Sequence, residues 1–229
     1  MALEALRFLS RETALGIVRR GLLDSVRILW SGRDDWKLDF RYGTKTGGLV
    51  KAADVKGPNA NLATAYRGVR AIPLKKFLAL LALDRKMGFV DVGSGKGRAM
   101  MLAADYGFER VTGVEFSASL VQIACQNIER IRSRFPKTEF EVLHEDAAEF
   151  VPRSTDQVFF FYDPFSAAVM SQCLRRIKES YHWFPRPLYV ILHNNLVNHL
   201  ESEFPELRMM EDNGRHSVDG NQFYVRSLG

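Results

Sequence analysis

The feature that most constrains this chain is the run Gly88-Phe89-Val90-Asp91-Val92-Gly93-Ser94-Gly95-Lys96-Gly97-Arg98. Phe89, Val90 and Val92 suit a short buried strand. Glycine then stands at alternate positions 93, 95 and 97, and the following Ala99, Met100, Met101, Leu102, Ala103 and Ala104 favour a helix. Strand, glycine turn and helix in that order predict the first crossover of a parallel α/β sheet. Glycines let the backbone turn tightly and approach a ligand with no Cβ in the way. The helix N-terminus beyond offers unpaired N–H groups.

Asp91 sits inside the strand, two residues before the first glycine. An anionic pyrophosphate gains little from that acid, and the glycine spacing is not the G-x-G-x-x-G of dinucleotide sites. A ligand with an amino group and a sulfonium centre is better served. The stretch resembles motif I of the class I S-adenosylmethionine-dependent methyltransferases, acid-x-Gly-x-Gly-x-Gly. Val111-Thr112-Gly113-Val114-Glu115 resembles that fold's second strand, which ends in the acid that binds the ribose hydroxyls. Glu115 lies 20 residues beyond Gly95, the offset a βαβ nucleoside site needs.

The resemblance covers about residues 66–227. It implies a Rossmann-like seven-stranded sheet with helices on both faces and an antiparallel terminal hairpin. It implies S-adenosylmethionine as cofactor, held by Asp91, Gly93, Ser94, Gly95, Gly97 and Glu115. Asp146-Ala147 matches by position the acid that accepts from the adenine amino group and the following N–H beside the ring. Asp146 also suits the N-cap of a short helix over Ala147–Phe150. Asp163-Pro164-Phe165 resembles motif IV of amino methyltransferases, with Phe165 where that motif has a second proline. Asp163 is therefore the first candidate for orienting the methyl acceptor. Tyr42-Gly43-Thr44-Lys45-Thr46-Gly47-Gly48 is similar to segments that cover the cofactor in non-SET histone lysine methyltransferases and related bacterial proteins. Tyr42 is a second catalytic candidate, and His193, at a strand end, a third. Two other classes stay open: a noncatalytic S-adenosylmethionine-binding or scaffold protein, and a nicotinamide oxidoreductase, which would want the missing fingerprint.

The chain has 229 residues, enough for one domain with a small extension. Residues 1–65 read as a helical extension and lid-like loop, and 66–229 as the cofactor-binding domain. Within the extension, Leu3, Leu6, Leu9, Ile17, Leu22, Val26 and Leu29 recur at near-helical spacing between arginines. That face packs on the main domain or on a second subunit, giving a homodimer. A membrane-surface helix is the alternative. A transit segment is opposed by Glu4, Glu12 and Asp24. Residues 31–65 look irregular, and a helix is expected from Tyr66 to Leu83.

Further on, Ser117 or Ser119 caps a helix to about Arg134, with Cys125 on its inner face. Gln157–Tyr162 is the most apolar strand, the centre of a parallel sheet. Phe204–Met210 and Phe223–Val225 suggest the terminal antiparallel pair, with turns near Asn213-Gly214 and Asp219-Gly220. Lys plus Arg number 32 and Asp plus Glu 27, a formal charge of +5. That permits a nucleic-acid partner without favouring one; a protein side chain or small molecule is the favoured acceptor. Cys125 and Cys173 have no metal-ligand spacing, so no metal is expected and reduced thiols in the cytoplasm are. No apolar run approaches the ~20 residues of a membrane span, and the first residues lack the apolar core of a secretory signal.

Overall fold

The computed structural model describes residues 36–48, 50, 66–162, 166–193, 208–209 and 215–228. Its centre is β1 (Gly88–Val92), buried at every position. Parallel pairing joins β3 (Glu139–His144), β2 (Arg110–Glu115), β1, β4 (Asp156–Phe161) and β5 (Leu188–His193) in that order. β8 (Asn221–Leu228) lies antiparallel beside β5, and β6 (Arg208–Met209) and β7 (Arg215–Val218) both pair with β8. The sheet has seven positions, the last shared by two short strands, which is the expected fold class.

Both faces of the sheet are covered, which is why its central strands are apolar without alternation. Side chains of successive strand residues point to opposite faces. Phe89 and Phe160 pack with Leu74, Phe77, Met100 and Ile128, from α2 (Ala71–Leu81), α3 (Arg98–Tyr106) and α4 (Ala118–Arg132). Val90, Val92, Phe159 and Phe161 pack with Met170, Cys173, Leu174 and Ile177 of α5 (Ala167–Trp183) on the other face. The chain runs outward through β1, β2 and β3, then returns to place β4 on the other side of β1. That reversal opens a crevice at the carboxyl ends of β1 and β4, where open α/β sheets bind ligands.

Several local expectations are corrected. Part of the stretch read as irregular forms α1, residues 36–42, because Leu38 and Tyr42 at i and i+4 reach the core beside α2 and α3. The helix expected from Tyr66 begins only at Ala71. Residues 67–70 stay extended because their backbone serves Arg98: the Val69 carbonyl accepts from Arg98 Nη1 at 3.4 Å. A Cβ at Gly68 would stand 2.9 Å from Arg98 Nε. Cys125 is exposed, since the buried stripe of α4 is Leu120, Ala124, Asn127, Ile128 and Ile131. Ser117 occupies the N-cap of α4, but its hydroxyl meets that of Ser119, at 3.1 Å, instead of a helix N–H.

The terminal hairpin is β7–β8, turning through Asp219 and Gly220, both at positive φ as a two-residue hairpin turn requires. β6 pairs with residues 226–227, beyond the 223–225 expected. The amphipathic stretch 2–30, Asp163-Pro164-Phe165 and the turn at Asn213-Gly214 lie outside the described residues. Among the described residues no helix is long and apolar enough to cross a membrane, and no His, Cys, Asp and Glu cluster could hold a metal.

Candidate functional site

The glycine turn is strapped to the end of β2. Gly93 and Ser94 N–H both donate to the Val114 carbonyl, at 2.9 and 3.0 Å. Gly95 N–H donates to Glu115 Oε2 at 2.9 Å, and Ser117 N–H to Glu115 Oε1 at 2.8 Å. Gly97 N–H closes the turn on the Ser94 carbonyl at 2.8 Å. The strand register puts Asp91 between Gly113 and Phe160. Gly113 is required there: a Cβ would collide with Met100 Sδ and stand 2.8 Å from Ser94 Oγ. The fold thus brings Asp91, Gly93, Ser94, Gly95, Gly97 and Glu115 to one place at the crevice.

The charge of this place is unusual. Burial, then the nearby Glu115 charge, pushes the Asp91 carboxyl up to about 8; the Met100 N–H opposes this only in part. Burial also raises Glu115, against hydrogen bonds from Ser117 and Gly95. Ser94 Oγ is buried with no hydrogen-bond partner among the described residues. Two desolvated acids and an orphaned hydroxyl suit a ligand that brings a cationic centre and its own hydroxyls. They do not suit a pyrophosphate.

The loop after α1 is already docked beside the turn. Asp39 is its hub. Its carboxylate accepts from Thr44 Oγ1 at 2.8 Å, Thr46 Oγ1 at 2.6 Å, Thr46 N–H at 2.9 Å and Gly47 N–H at 2.7 Å. Arg98, 1% exposed at the start of α3, donates from Nε to Thr46 Oγ1 at 2.8 Å and stands 3.7 Å from Asp39. Lys96 Nζ donates to the Gly47 carbonyl at 2.7 Å and lies 5.0 Å from the centre of the Tyr66 ring. The Tyr66 hydroxyl donates to the Thr46 carbonyl at 2.8 Å, with its ring against Gly95. Asn127 joins loop and turn, accepting from Lys45 N–H at 2.8 Å and donating to the Lys96 carbonyl at 2.9 Å.

Sequence reasoning singled out the loop but missed Asp39, Arg98 and Asn127 as the residues that hold it. Asn127 had a readable signal, an amide inside the apolar stripe of α4. Burial raises the Asp39 carboxyl, but hydrogen bonds from Thr46, Gly47 and Thr44 outweigh it and hold it below its ordinary range. Its stabilisation is present at neutral pH and lost as pH falls through that lowered value. Asp39→Ala removes the carboxylate that stands 3.7 Å from the buried Arg98 and gathers the Thr44, Thr46 and Gly47 hydrogen bonds. It is expected to lower the unfolding free energy by about 3 kcal/mol, read as the urea midpoint at pH 7; an unchanged midpoint would show that Asp39 holds nothing.

The other expected residues are placed differently. Asp146 caps a single turn, shorter than the expected helix over Ala147–Phe150: its Oδ1 accepts from Ala148 N–H at 2.9 Å, and its carbonyl accepts from Glu149 and Phe150 N–H at 2.9 and 3.0 Å. It follows His144, which pairs in register with Glu115, so Asp146 and Ala147 lie at the same end of the sheet as the turn. Tyr42 is buried with its hydroxyl donating to Asp105 at 2.8 Å and its ring 6.0 Å from that of Phe135. Asp105 is about 10 Å along α3 from Arg98, so Tyr42 is held away from Asp91. His193 is buried at the end of β5, its ring 4.2 Å from that of Tyr162 and 5.4 Å from that of Phe223. Its Nε2 is 3.4 Å from Asn221 Oδ1.

Residues 89–182 match the family model for a methyltransferase domain. Solved structures share the fold. A SAM-dependent methyltransferase from Aquifex aeolicus superposes with a TM-score of 0.55 at 14% identity, over 69% of this chain and 91% of that one. A ribosomal protein L11 methylase from Lactobacillus delbrueckii gives 0.51 at 14%, over 72% and 81%. A tRNA (uracil-54, C5)-methyltransferase from Pyrococcus abyssi, in complex with S-adenosyl-L-homocysteine, gives 0.50 at 16%, over 69% of this chain but only 38% of that one. A search of the curated proteins found no match. Fold and site define a Rossmann-like domain of the architecture these methyltransferases share. Residues 89–182 are thus similar to methyltransferase domains in sequence, and the sheet around them shares the fold of these structures.

Proposed function

We propose that the protein transfers the methyl group of S-adenosylmethionine to a protein side chain or a small molecule. The meeting of Asp91, Glu115 and the glycine turn at the β1–β4 crevice supports this most. In this reading Asp91 and the backbone of Gly93, Ser94, Gly95 and Gly97 hold the cationic amino-acid end. Glu115 accepts from the ribose hydroxyls, and Asp146 and Ala147 flank the adenine. When bound, S-adenosylmethionine supplies a methyl group already activated by its sulfonium. What remains for the chain is to align the acceptor and exclude water. Reduced Cys125 and Cys173 agree with a cytoplasmic protein.

Asp163 is the proposed orienting residue for the acceptor. In the sequence it comes directly after the half-buried Tyr162, and β4 itself ends at the crevice. Asp163→Ala should lower turnover ~10²-fold, the scale of lost alignment, with cofactor affinity little changed and Asp163→Asn milder. Affinity falling in step with turnover would move Asp163 into the cofactor pocket. His193 is then the next group able to take a proton, while Tyr42 acts only through the loop. The acceptor class is tested by incubating fractionated cell extract with labelled S-adenosylmethionine. Label in protein or small-molecule fractions is expected; label confined to RNA would overturn that choice, and none anywhere would sink transfer.

A further inference from the structure

α1 turns Leu38 and Tyr42 inward and commits Asp39 to the loop. Its remaining residues fall on one outward face of about 140°, given 3.6 residues per turn. Trp36 and Phe40 stand one turn apart on that face, 66% and 77% exposed, with rings stacked at 5.4 Å and 21°. Lys37 and Arg41, also one turn apart, are exposed beside them. The cationic side continues onto neighbouring elements. Arg41 and Arg134 both stand over the Tyr42 ring, at 5.5 and 5.3 Å. Lys45 is fixed beside α4 through Asn127, and Arg130 is one turn further along that helix.

Among the described residues no carboxylate pairs with Lys37, Arg41, Lys45, Arg130 or Arg134. The acids of these elements are used elsewhere: Asp39 in the loop, Glu129 on Arg132, Asp105 on Lys75 and Tyr42. An exposed aromatic stack beside a track of unpaired cations is what a single-stranded nucleic acid recognises, with bases on the rings and phosphates along the cations. A membrane surface would take the cations but has nothing to extend a ring stack.

We propose that the outward face of α1, with Lys45, Arg130 and Arg134, is a docking surface for single-stranded nucleic acid. Arg41 and Arg134 crowd around Tyr42, which is held away from Asp91. The surface therefore anchors a strand outside the methyl-transfer crevice, and does not depend on which acceptor that crevice takes.

The test is fluorescence anisotropy of labelled oligouridine longer than the ~16-nucleotide upper site size of such surfaces. Binding should weaken with salt at a log–log slope of roughly −3.5, from five cations at about −0.7 each. The double variant Lys45→Glu, Arg130→Glu should bind at least ~10-fold more weakly. Phe40→Ala should cost ~10-fold, and Trp36→Phe should keep affinity while losing the tryptophan quenching that stacking causes. Lys178→Glu, on α5 across the sheet, should change nothing. Lys37→Glu keeps the test open if the double variant fails to fold, since Lys37 is exposed and outside the core. No binding, equal binding of a duplex of the same length, insensitivity to these substitutions, or binding only to anionic lipid vesicles would each overturn the proposal.

Discussion

Gly95→Val is expected to abolish S-adenosylmethionine binding, with affinity by calorimetry falling more than ~10³-fold while the protein remains folded. Two effects combine. Gly95 stands at φ +54, a left-handed conformation that costs any β-carbon residue roughly 1–2 kcal/mol and a β-branched one more. A Cβ would also collide with the Tyr66 ring. The sequence suggested that such a Cβ would meet the ligand; the structure shows that it meets Tyr66 first. Displacing that ring pulls its hydroxyl from the Thr46 carbonyl and removes the surface on which Lys96 rests. Moving the Gly95 N–H frees the carboxylate of Glu115 that should face the ribose. Amide exchange at Thr46 and Gly47 should accelerate in the variant, because the loop loses one side of its support. Unchanged affinity in a folded Gly95→Val protein would show that the glycine turn is not the cofactor site. Lost affinity with unchanged loop exchange would show that Tyr66 does not couple the two.

Much of this arrangement was legible in the sequence, because local chemistry determines it. β1, β2, β4 and β5 are short apolar runs with turn residues at their carboxyl ends, and a parallel sheet has few ways to order them. Glu115 and the glycine turn are 20 residues apart, and one βα unit is enough to join them. The misses that shape the site depend on distant partners. Gly68 weakens a helix over residues 67–70, and the buried guanidinium of Arg98 takes the Val69 carbonyl from 29 residues away. Arg98 reads in sequence as an ordinary first-turn residue, unfavourable at a helix N-terminus; its place becomes clear with Asp39 of α1 and Thr46 of the loop beside it. Tyr42 looked chemically suited to the crevice, but its ring is needed in the core and its hydroxyl finds Asp105.

Asp91, buried, and Asp39, half-buried, are acids of opposite character, and pH should separate them. Asp91 is held near 8 by burial and by Glu115, far above its unfolded value. A folded-state acid raised in this way binds its proton more tightly than the unfolded chain does. Without cofactor, stability should therefore fall as pH rises from about 4 to about 8, and Asp91→Asn should melt higher than the wild type at pH 9. Asp39, lowered instead, loses its contribution only on acidification. A cationic ligand prefers ionised Asp91, so binding below pH 8 must expel a proton. Affinity for S-adenosylmethionine should rise up to tenfold per pH unit toward 8 and then level. Asp91→Asn keeps the shape but removes the charge. At pH 8 it should bind about 10³-fold more weakly, the scale of breaking a buried ion pair, and its affinity should lose that pH slope. The same substitution thus strengthens the empty protein and disables the loaded one, an opposition that a purely structural aspartate would not produce. Wild-type affinity flat between pH 6 and 8, or an Asp91→Asn protein that binds normally, would remove Asp91 from the cofactor site.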